Sequence, residues 1–379
     1  MRIAIFGGSF DPVHTEHVLL ARDAVRALRL DKLFVMPAHT PPHKQGKVLS
    51  SDEDRLQMCR LAFQNDPKIV VSDYEISQGG TSYTYLTCRH FKEEYPKSKL
   101  FFLVGTDMLR NFPTWKNPQS ILEDATLAVC SRGEEKKRLK EDAKAFKRAF
   151  GKAFKVIDYE GKKLSSTRLR VLAAAGESLS GLTPPDVEKY ILERELYRVP
   201  FAKEALALEK PSRRQHSLRV AEVAAGRAYS LGISERAATV AALFHECAKS
   251  VEEGSELLKD LVCESGVPAA VVHQFSGAYL AERFFGVTDG EVLNAIRYHT
   301  SGRAGMSGLE KLIFLADMIE PDRDFAGVEE LRSAFYAGKD LDECLRMALE
   351  RTIAHLEKKG KPIYRLTKEA WEYYQKENK

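Results

Sequence analysis

The 379-residue sequence has few cysteines, few tryptophans and no long apolar segment. Its six cysteines include no CxxC pair, which excludes a disulfide scaffold and predicts reduced, mostly buried thiols in a cytoplasmic protein. The longest nearly apolar run, 237–244, is far shorter than the about 20 residues that cross a bilayer, so we expect no membrane association. The segment Met1–Phe6 lacks the apolar core of a signal peptide.

Positive and negative charges nearly balance, with 58 basic and 54 acidic side chains. Residues 1–200 carry a net charge of +7 (33 basic, 26 acidic), and residues 201–379 carry −3 (25 basic, 28 acidic). This asymmetry is too small to predict nucleic-acid binding. It is compatible with an anionic small-molecule substrate in the first half and a cation site in the second.

Two regions with different patterns follow one another along the chain. In the first, short β-rich runs alternate with helical periodicity, which predicts an α/β doubly wound parallel sheet. After about residue 200 the strand signal disappears, which predicts an all-α domain. We therefore predict domains at residues 1–200 and 211–379, joined by a linker at 201–210. The predicted strands are Arg2–Phe6, Leu33–Met36, Ile69–Ser72, Leu100–Val104, Thr126–Cys130 and Phe154–Asp158.

The strongest local feature is the segment GGSFDPVHTEH at residues 7–17, between the first predicted strand and the first helix. Gly7 and Gly8 let the backbone approach a phosphate closely, and the helix start offers unpaired N–H donors. His14 and His17 lie three residues apart on one helix face, where imidazoles can stabilise the charge of a phosphoryl-transfer transition state. The alternative is an ordinary turn with two capping histidines.

A second candidate anion site is the segment SSTRLR at residues 165–170, after the last predicted strand. Hydroxyls and backbone N–H groups at a helix start, with an arginine one turn in, suit a phosphate. Alone, the segment could be a plain helix cap. Ligands of doubly wound sheets bind at the carboxyl ends of the strands, so the two motifs together predict one nucleotide held at both ends.

With these motifs, residues 1–200 resemble the bacterial nicotinate-mononucleotide adenylyltransferases. The further matching segments are PAHTPPHK at 37–44, SYT at 82–84, GTD at 105–107 and the helix PxxVxxYI at 184–191. The resemblance implies a Rossmann-like nucleotidyltransferase that joins ATP and nicotinate mononucleotide, with Mg²⁺, into deamido-NAD and pyrophosphate. It implies catalytic roles for His14, His17 and Arg170, and substrate binding by Gly7, Gly8, Ser9, Phe10, Lys44, Thr84, Gly105, Asp107, Trp115, Ser166 and Thr167.

Several points in this half stay open. By the resemblance Trp115 stacks on the nicotinate ring and Asp107 lies near the adenosine, but Trp115 could be a core residue and Asp107 a helix N-cap. The acceptor could also be nicotinamide mononucleotide, whereas the 37–44 and 82–84 segments disfavour phosphopantetheine. The family usually has glycine where this chain has Glu16, and a carboxylate there repels a triphosphate unless it points away or neutralises the metal.

In the second half, histidines and carboxylates are spread over separate predicted helices. A carboxylate such as Asp317 on an apolar helix is costly to bury unless it is paired or metal-bound. Imidazoles and carboxylates suit Fe, Mn or Zn. The alternative is that each is a satisfied core or surface residue. The set comprises His216, His245, Glu246, His273, His299 and Asp317.

The segments HSLRV, LFHECAKS, HTSG and FLADMIEPDR give residues 210–375 a resemblance to the HD superfamily of metal-dependent phosphohydrolases. Within it they look like the bacterial symmetrical diadenosine tetraphosphate hydrolases. The resemblance implies two metal ions, often iron, and cleavage of diadenosine tetraphosphate into two ADP. It implies that His216, His245, Glu246 and Asp317 hold one metal, that His273 and His299 join Glu246 on the second, and that Lys249 faces the phosphates.

One position departs from the HD pattern, because the family has His-Asp where this chain has His245-Glu246. The extra methylene displaces the carboxylate, and bridging two metals tolerates little displacement. Three alternatives follow: a retuned active site, a single-metal site, or a degenerate nucleotide-binding sensor. The sequence as a whole predicts a bifunctional NAD-biosynthesis enzyme acting on small molecules, and a homo-oligomer is compatible with it.

Overall fold

The computed structural model describes residues 1–42, 45–131, 136–159 and 161–376, without the side chains of residues 136 and 137. Contacts divide the chain into two units. The first, called the α/β unit, comprises Met1–Arg170 and Leu179–Leu196; the second, the helical unit, comprises Val171–Ser178 and Tyr197–Lys379. The sequence predicted one boundary at residue 200, whereas the chain crosses between the units three times.

The α/β unit is built on a six-stranded parallel sheet in the order β3-β2-β1-β4-β5-β6. This confirms the predicted doubly wound fold. Residues 100–104 of β4 are all buried, an unbroken apolar run that helices on both faces of a parallel sheet require. The strands are β1 Arg2–Gly8, β2 Lys32–Pro37, β3 Ile69–Val71, β4 Lys99–Gly105, β5 Ala125–Ser131 and β6 Lys155–Asp158.

In the described part of residues 1–196, nine α-helices connect or follow these strands. Helix α1 shows the periodicity that the sequence predicts between strands, since Val18, Ala21 and Ala24 recur on one buried face. The helices are α1 Thr15–Ala27, α2 Asp52–Phe63, α3 Tyr74–Gln78, α4 Thr84–Glu94, α5 Thr106–Asn111, α6 Pro118–Asp124, α7 Lys136–Phe150, α8 Ser166–Ala174 and α9 Pro185–Glu193.

The two central strands part at their carboxyl ends. The pairing of β1 with β2 continues to Gly8 and that of β4 with β5 continues to Gly105. The pairing of β1 with β4 ends earlier, at Ile5 and Phe102. The strand order reverses between β1 and β4, and a crevice at such a switch point is where doubly wound sheets bind ligands. The Gly7–Gly8 and Gly105 segments therefore border the expected ligand crevice.

The helical unit has a core of alanine, leucine and phenylalanine side chains, and its described residues form no strand, as predicted. The predicted linker at 201–210 contains a helix instead, because Ala202, Ala205 and Leu206 form an apolar stripe that is buried. The helices are α10 Ala202–Ala207, α11 Pro211–Ala228, α12 Glu235–Phe244, α13 Ala269–Arg283, α14 Gly290–Arg297, α15 Gly308–Ile319, α16 Val328–Tyr336, α17 Leu341–Lys358 and α18 Arg365–Lys376.

The cysteine and membrane predictions can be compared directly with the fold. All six thiols are free; five are buried and Cys263 is exposed. None of the helices in the described ranges is both long and apolar enough to cross a membrane.

Candidate functional sites

The loop between β1 and α1 ends in a reciprocal histidine cap. His14 is the N-cap of α1, and its Nδ1 accepts a hydrogen bond from the backbone N–H of His17 at 3.4 Å. The backbone N–H of His14 donates to Nδ1 of His17 at 3.2 Å. The two rings stack with centroids 3.6 Å apart. The histidines therefore do cap the helix, and this fixes both rings at the start of α1, where a helix attracts anions.

The glycines before this cap make room for an aromatic ring. Phe10 is buried with a backbone φ of +48°, and a Cβ on Gly8 would lie 3.1 Å from its ring. The Phe10 ring packs edge-on against His17, with centroids 5.1 Å apart. The absence of a side chain at Gly8 thus lets the Phe10 ring pack over the end of β1 and against His17.

The structure brings the two predicted anion motifs together. At the start of α8, the Ser166 hydroxyl donates to the carbonyl oxygen of Pro12 at 2.9 Å. One turn later, Nη1 of Arg170 donates to the carbonyl oxygen of Asp11 at 2.5 Å, and Nη2 donates to the Thr167 hydroxyl at 3.2 Å. The loop after β1 and the start of α8 are therefore in direct contact, and their holding one nucleotide between them stays a prediction.

The segments at 37–42 and 82–84 also meet. The backbone N–H of Ser82 donates to the carbonyl of Thr40 at 2.9 Å, and the Ser82 hydroxyl accepts from the N–H of His39 at 3.0 Å. Thr84 begins α4 beside them. Lys44 lies outside the described residues. These two segments, which carry part of the family resemblance, therefore lie side by side. Their roles in binding substrate stay predictions.

The segment after β4 corrects one alternative. Gly105, and not Asp107, is the N-cap of α5, and Asp107 is an exposed residue of the first turn. A Cβ on Gly105 would lie 2.6 Å from Oδ1 of Asp107, so a larger residue at 105 would displace this side chain. Trp115 is half-buried and packs against Phe112 and Phe102, with ring centroids 5.3 and 6.1 Å away. It thus belongs in part to the aromatic core.

Glu16, the departure from the family pattern, points toward the end of β6. Its side chain is buried, and its carboxylate accepts a hydrogen bond from the Tyr159 hydroxyl. A Cβ on Gly161 would lie only 2.2 Å from Oε2 of Glu16. The carboxylate is therefore fixed by a hydroxyl and by a close-packed glycine, which accounts for a buried acid in the first turn of α1.

In the helical unit, the predicted ligands come from separate elements. His216 lies in the second turn of α11, His273 within α13 and Asp317 within α15. The sequence placed His245-Glu246 on a predicted helix, but α12 ends at Phe244 and the pair begins the turn that follows. A helix end frees these side chains from the regular face of α12, so both can point to the same centre. His299 follows the end of α14.

These side chains converge. The ring centroids of His216 and His245 are 5.4 Å apart, those of His245 and His299 are 4.9 Å apart, and those of His273 and His299 are 5.0 Å apart. Two groups, His216 with His245 and Asp317, and His245 with Glu246 and His299, each have ligand atoms within 4.8 Å of one another. The constellation predicted from scattered positions is therefore one compact cluster.

Hydrogen bonds orient the rings so that Nε2 is the available atom. Nδ1 of His245 lies 2.6 Å from the carbonyl of Ala242, and Nδ1 of His299 lies 2.8 Å from that of Ile296. Nδ1 of His216 lies 3.1 Å from a Glu320 carboxylate oxygen. A ring that donates through Nδ1 presents Nε2 as a lone pair, which is the usual second-shell arrangement of a metal-binding histidine.

The electrostatics also suit a cation. Burial lowers the pKa of His245 well below its ordinary value, and burial together with the neighbouring His299 lowers the pKa of His273 to about 2. Burial alone would raise the pKa of Asp317, but the nearby His216 and Arg323 hold it well below its usual range. Neutral His245 and His273 and an ionised Asp317 are in the protonation states that bind a metal. For His216, burial is outweighed by the carboxylates of Asp317 and Glu320, which raise its pKa.

Positively charged side chains surround the cluster. Arg213 contacts one oxygen of Glu246 at 3.1 Å, and Arg323 forms an ion pair with Asp317. Nζ of Lys249 lies 3.0 Å from the ring nitrogens of His273. Sequence reasoning missed Arg213 and Glu320, although each lies three residues from a predicted ligand on the same helix or at its end. That spacing was the available signal.

The residues present fit a metal. Among the described residues, Nε2 of His245 and Oε2 of Glu246 are buried without a hydrogen-bond partner. Nε2 of His216 is 3.0 Å from Asp317 but is not aligned for a hydrogen bond. Three buried ligand atoms that make no hydrogen bond thus lie in one cluster, and a bound cation would satisfy them.

Comparison with known proteins gives matches over both units. The cytidylyltransferase-like family matches residues 5–172, and the HD domain family matches residues 213–370. A protein of Mycoplasma genitalium named "Probable nicotinate-nucleotide adenylyltransferase/Ap4A hydrolase" is 29% identical over 92% of this chain and 93% of its own length. Its namesake from Mycoplasma pneumoniae is 30% identical over 84% and 88%. A Clostridium tetani protein, "Probable nicotinate-nucleotide adenylyltransferase", is 36% identical over 52% of this chain and 98% of its own.

Proposed function

Because the chain belongs to the nicotinate-nucleotide adenylyltransferase/Ap4A hydrolase family, we propose that it is a bifunctional enzyme of nucleotide metabolism. The α/β unit transfers the adenylyl group of ATP to nicotinate mononucleotide. The helical unit hydrolyses diadenosine tetraphosphate to two ADP. The observation that supports the proposal is that relatives carrying both names align with nearly the whole chain.

In the proposed transfer, a phosphate oxygen of nicotinate mononucleotide attacks the α-phosphorus of ATP and pyrophosphate leaves. No covalent intermediate with the protein forms, so the residues act by positioning and charge stabilisation. The joined motifs supply this: the start of α1 with His14 and His17, and the start of α8 with Ser166 and Arg170, surround the same loop. Mg²⁺, when bound, neutralises the phosphates.

In the proposed hydrolysis, His216, His245, Glu246 and Asp317 would hold one divalent ion. His273 and His299 would join Glu246 on a second ion, and iron is the metal we propose. When bound, the ions supply a hydroxide nucleophile and neutralise phosphate charge. The chain's own part is orientation: Glu320 and two backbone carbonyls fix the histidine rings, and Lys249 places an ammonium group where a phosphate binds.

One experiment tests both activities on the intact protein. The purified chain is incubated with Mg²⁺, ATP and either nicotinate or nicotinamide mononucleotide, and separately with Fe²⁺ or Mn²⁺ and diadenosine tetraphosphate. We expect pyrophosphate and deamido-NAD with the acid, and ADP as the sole product of the tetraphosphate. Absence of dinucleotide with both mononucleotides would refute the first activity, and absence of ADP with every metal would refute the second.

A nucleotide sensor is the second candidate for the helical unit. It is favoured by the pairing of two predicted ligand carboxylates with arginines, Glu246 with Arg213 and Asp317 with Arg323. In a sensor, these two arginines neutralise the carboxylates that would otherwise bind a metal ion. Elemental analysis separates the candidates, since a sensor retains nucleotide binding with no bound metal and no ADP formation.

A further inference from the structure

Arg55, on α2, is a buried cation that the sequence motifs did not include. Its side chain is 1% exposed. Nη1 donates to the carbonyl oxygens of Ser9 at 2.9 Å and Ala38 at 2.7 Å, and Nε donates to that of Ser50 at 3.1 Å. Nη2 forms an ion pair with Asp52. The buried guanidinium thus binds three separate stretches of backbone.

Two of these carbonyls, those of Ser9 and Ala38, lie directly after the last paired residues of β1 and β2. The pairing of β1 with β2 ends at Gly8 and Pro37. From there Ser9 leads into the loop of the proposed ATP site. Ala38 leads into residues 38–42, which contact Ser82 and which we take, with the 82–84 segment, as the acceptor site. Because Nη1 of Arg55 bonds to both carbonyls, the guanidinium continues the connection beyond the last strand pair.

The third carbonyl extends the connection toward the second anion motif. The backbone N–H of Ser50 donates to Oδ1 of Asp11 at 3.4 Å, and the carbonyl of Asp11 accepts from Arg170. The same Asp52 that pairs with Arg55 also pairs with the ring of His39 in the acceptor loop. Polar contacts therefore run without a break from Arg170 through Arg55 to the 37–42 segment.

We propose that Arg55 is a positioning residue that couples the ATP site to the acceptor site. The proposal rests on the adenylyltransferase function proposed above. The guanidinium is planar with a fixed fork of donors, so displacing one of its carbonyl partners displaces the others. A ligand that orders one loop thereby lowers the entropic cost of ordering the other, which makes the binding of the two substrates synergistic.

A purely structural arginine predicts something different. Removing it would lower stability and weaken each ligand separately, but the ratio of affinities with and without the second ligand would not change. Arg55→Lys distinguishes the two roles. A lysine keeps the charge opposite Asp52, but a compact ammonium on a flexible stem cannot reach three carbonyls in the same arrangement.

The test is calorimetric titration of the intact protein with a non-hydrolysable ATP analogue, with and without saturating nicotinate mononucleotide. In the wild type we expect the mononucleotide to tighten analogue binding about fivefold or more. In Arg55→Lys we expect that ratio to fall below about twofold. The matched control is Arg22→Lys, since Arg22 forms an exposed ion pair with Asp66 at 2.9 Å and should keep the wild-type ratio. An unchanged ratio in Arg55→Lys, or no synergy in the wild type, overturns the proposal.

Should Arg55→Lys fail to fold, hydrogen exchange on the wild type decides the question. Coupling predicts that the ATP analogue alone slows exchange of amides in residues 38–42 and 45–50, besides those of its own loop. Protection confined to residues 9–17 and 165–170 contradicts the proposal. Turnover with both substrates is measured first: a wild type that forms product without synergy refutes the coupling only, whereas one that forms no product refutes the transferase and the coupling with it.

Discussion

The α/β unit builds its proposed phosphate site on one loop and two helix starts that are close in space, whereas the helical unit builds its site from side chains that converge from separate helices. In the first, the loop carbonyls of Asp11 and Pro12 are held by Arg170 and Ser166, and two helix starts supply N–H groups. In the second, imidazoles and carboxylates from several helices converge on one centre. The first design needs glycines and a particular strand order, while the second needs only that helix ends and faces meet.

The difference predicts that the two sites fail independently and by different means. A site built on a loop and helix starts loses function when the loop moves, and its side chains can be exchanged singly with graded losses. A side-chain cluster loses function when any one ligand is removed, because the ligands act on the same ion.

The largest effect is expected for Asp317→Ala. Removing this carboxylate deletes a ligand and takes away the anion that His216 and Arg323 share. We expect hydrolysis of diadenosine tetraphosphate to fall about a thousandfold or more, with loss of bound metal. Both assays are run on the same sample, and adenylyl transfer should be unchanged. Asp324→Ala, at an exposed neighbouring site, is the control. A parallel fall of both activities would contradict two independent sites.

The next effect is expected for His17→Ala. The substitution removes an imidazole from the start of α1 and one half of the reciprocal cap with His14. Losing one group that stabilises transition-state charge costs about 10²–10³-fold in rate, and losing a cap costs about 1 kcal/mol of stability. Transfer should therefore fall far more than stability, with hydrolysis intact. His90→Ala is the matched control. A loss of transfer explained fully by unfolding, seen by circular dichroism, would contradict a role in the reaction.

How far the sequence predicted each unit follows from the same difference. All six strands could be located, because each is a short β-rich run, and glycine directly after the run marked the loops that follow β1 and β4. The convergence of the histidines could be expected only from their residue types and the family resemblance. Their supporting residues were missed: Arg213 and Glu320 carry no local signal beyond their spacing, and the role of Arg55 depends on contacts with segments 5, 17 and 46 residues away.

A substitution at the departure from the HD pattern sharpens the comparison further. In Glu246→Gln the side chain keeps its length but loses its charge, so Arg213 loses its ionic partner and the buried Oε2 loses its attraction for a cation. We expect metal affinity, measured by calorimetry on metal-depleted protein, to fall about 100-fold. Glu246→Asp keeps the charge and should stay within about tenfold of the wild type. Equal metal binding by the Gln variant would mean that Glu246 is not a ligand.

The smallest effect concerns a buried glutamate in each unit, each bonded to a hydroxyl. Burial raises the pKa of Glu209 to about 8, and the nearby Glu246 carboxylate adds to the rise. The hydrogen bond from Ser217 acts in the opposite direction, because it stabilises the ionised carboxylate. Burial also raises the pKa of Glu75, which accepts from Thr87. For an acid whose pKa is higher when folded, the native state binds more protons than the unfolded state. Its stability contribution is therefore greatest at low pH and is lost as pH rises from the unfolded value toward the folded one.

We therefore expect Glu209→Gln to flatten the loss of stability of the helical unit as pH rises from about 5.5 to 7, by up to about 2 kcal/mol. Glu75→Gln should flatten the corresponding curve of the α/β unit without altering that of the helical unit. Denaturant unfolding, followed by hydrogen exchange to resolve the units, is measured with a chelator present throughout, because a bound cation near His216 and Glu246 would itself change the proton affinity of Glu209. A Glu209→Gln variant with the wild-type slope would show that Glu209 stays ionised in the folded protein and that Ser217, together with the cations around it, outweighs its burial.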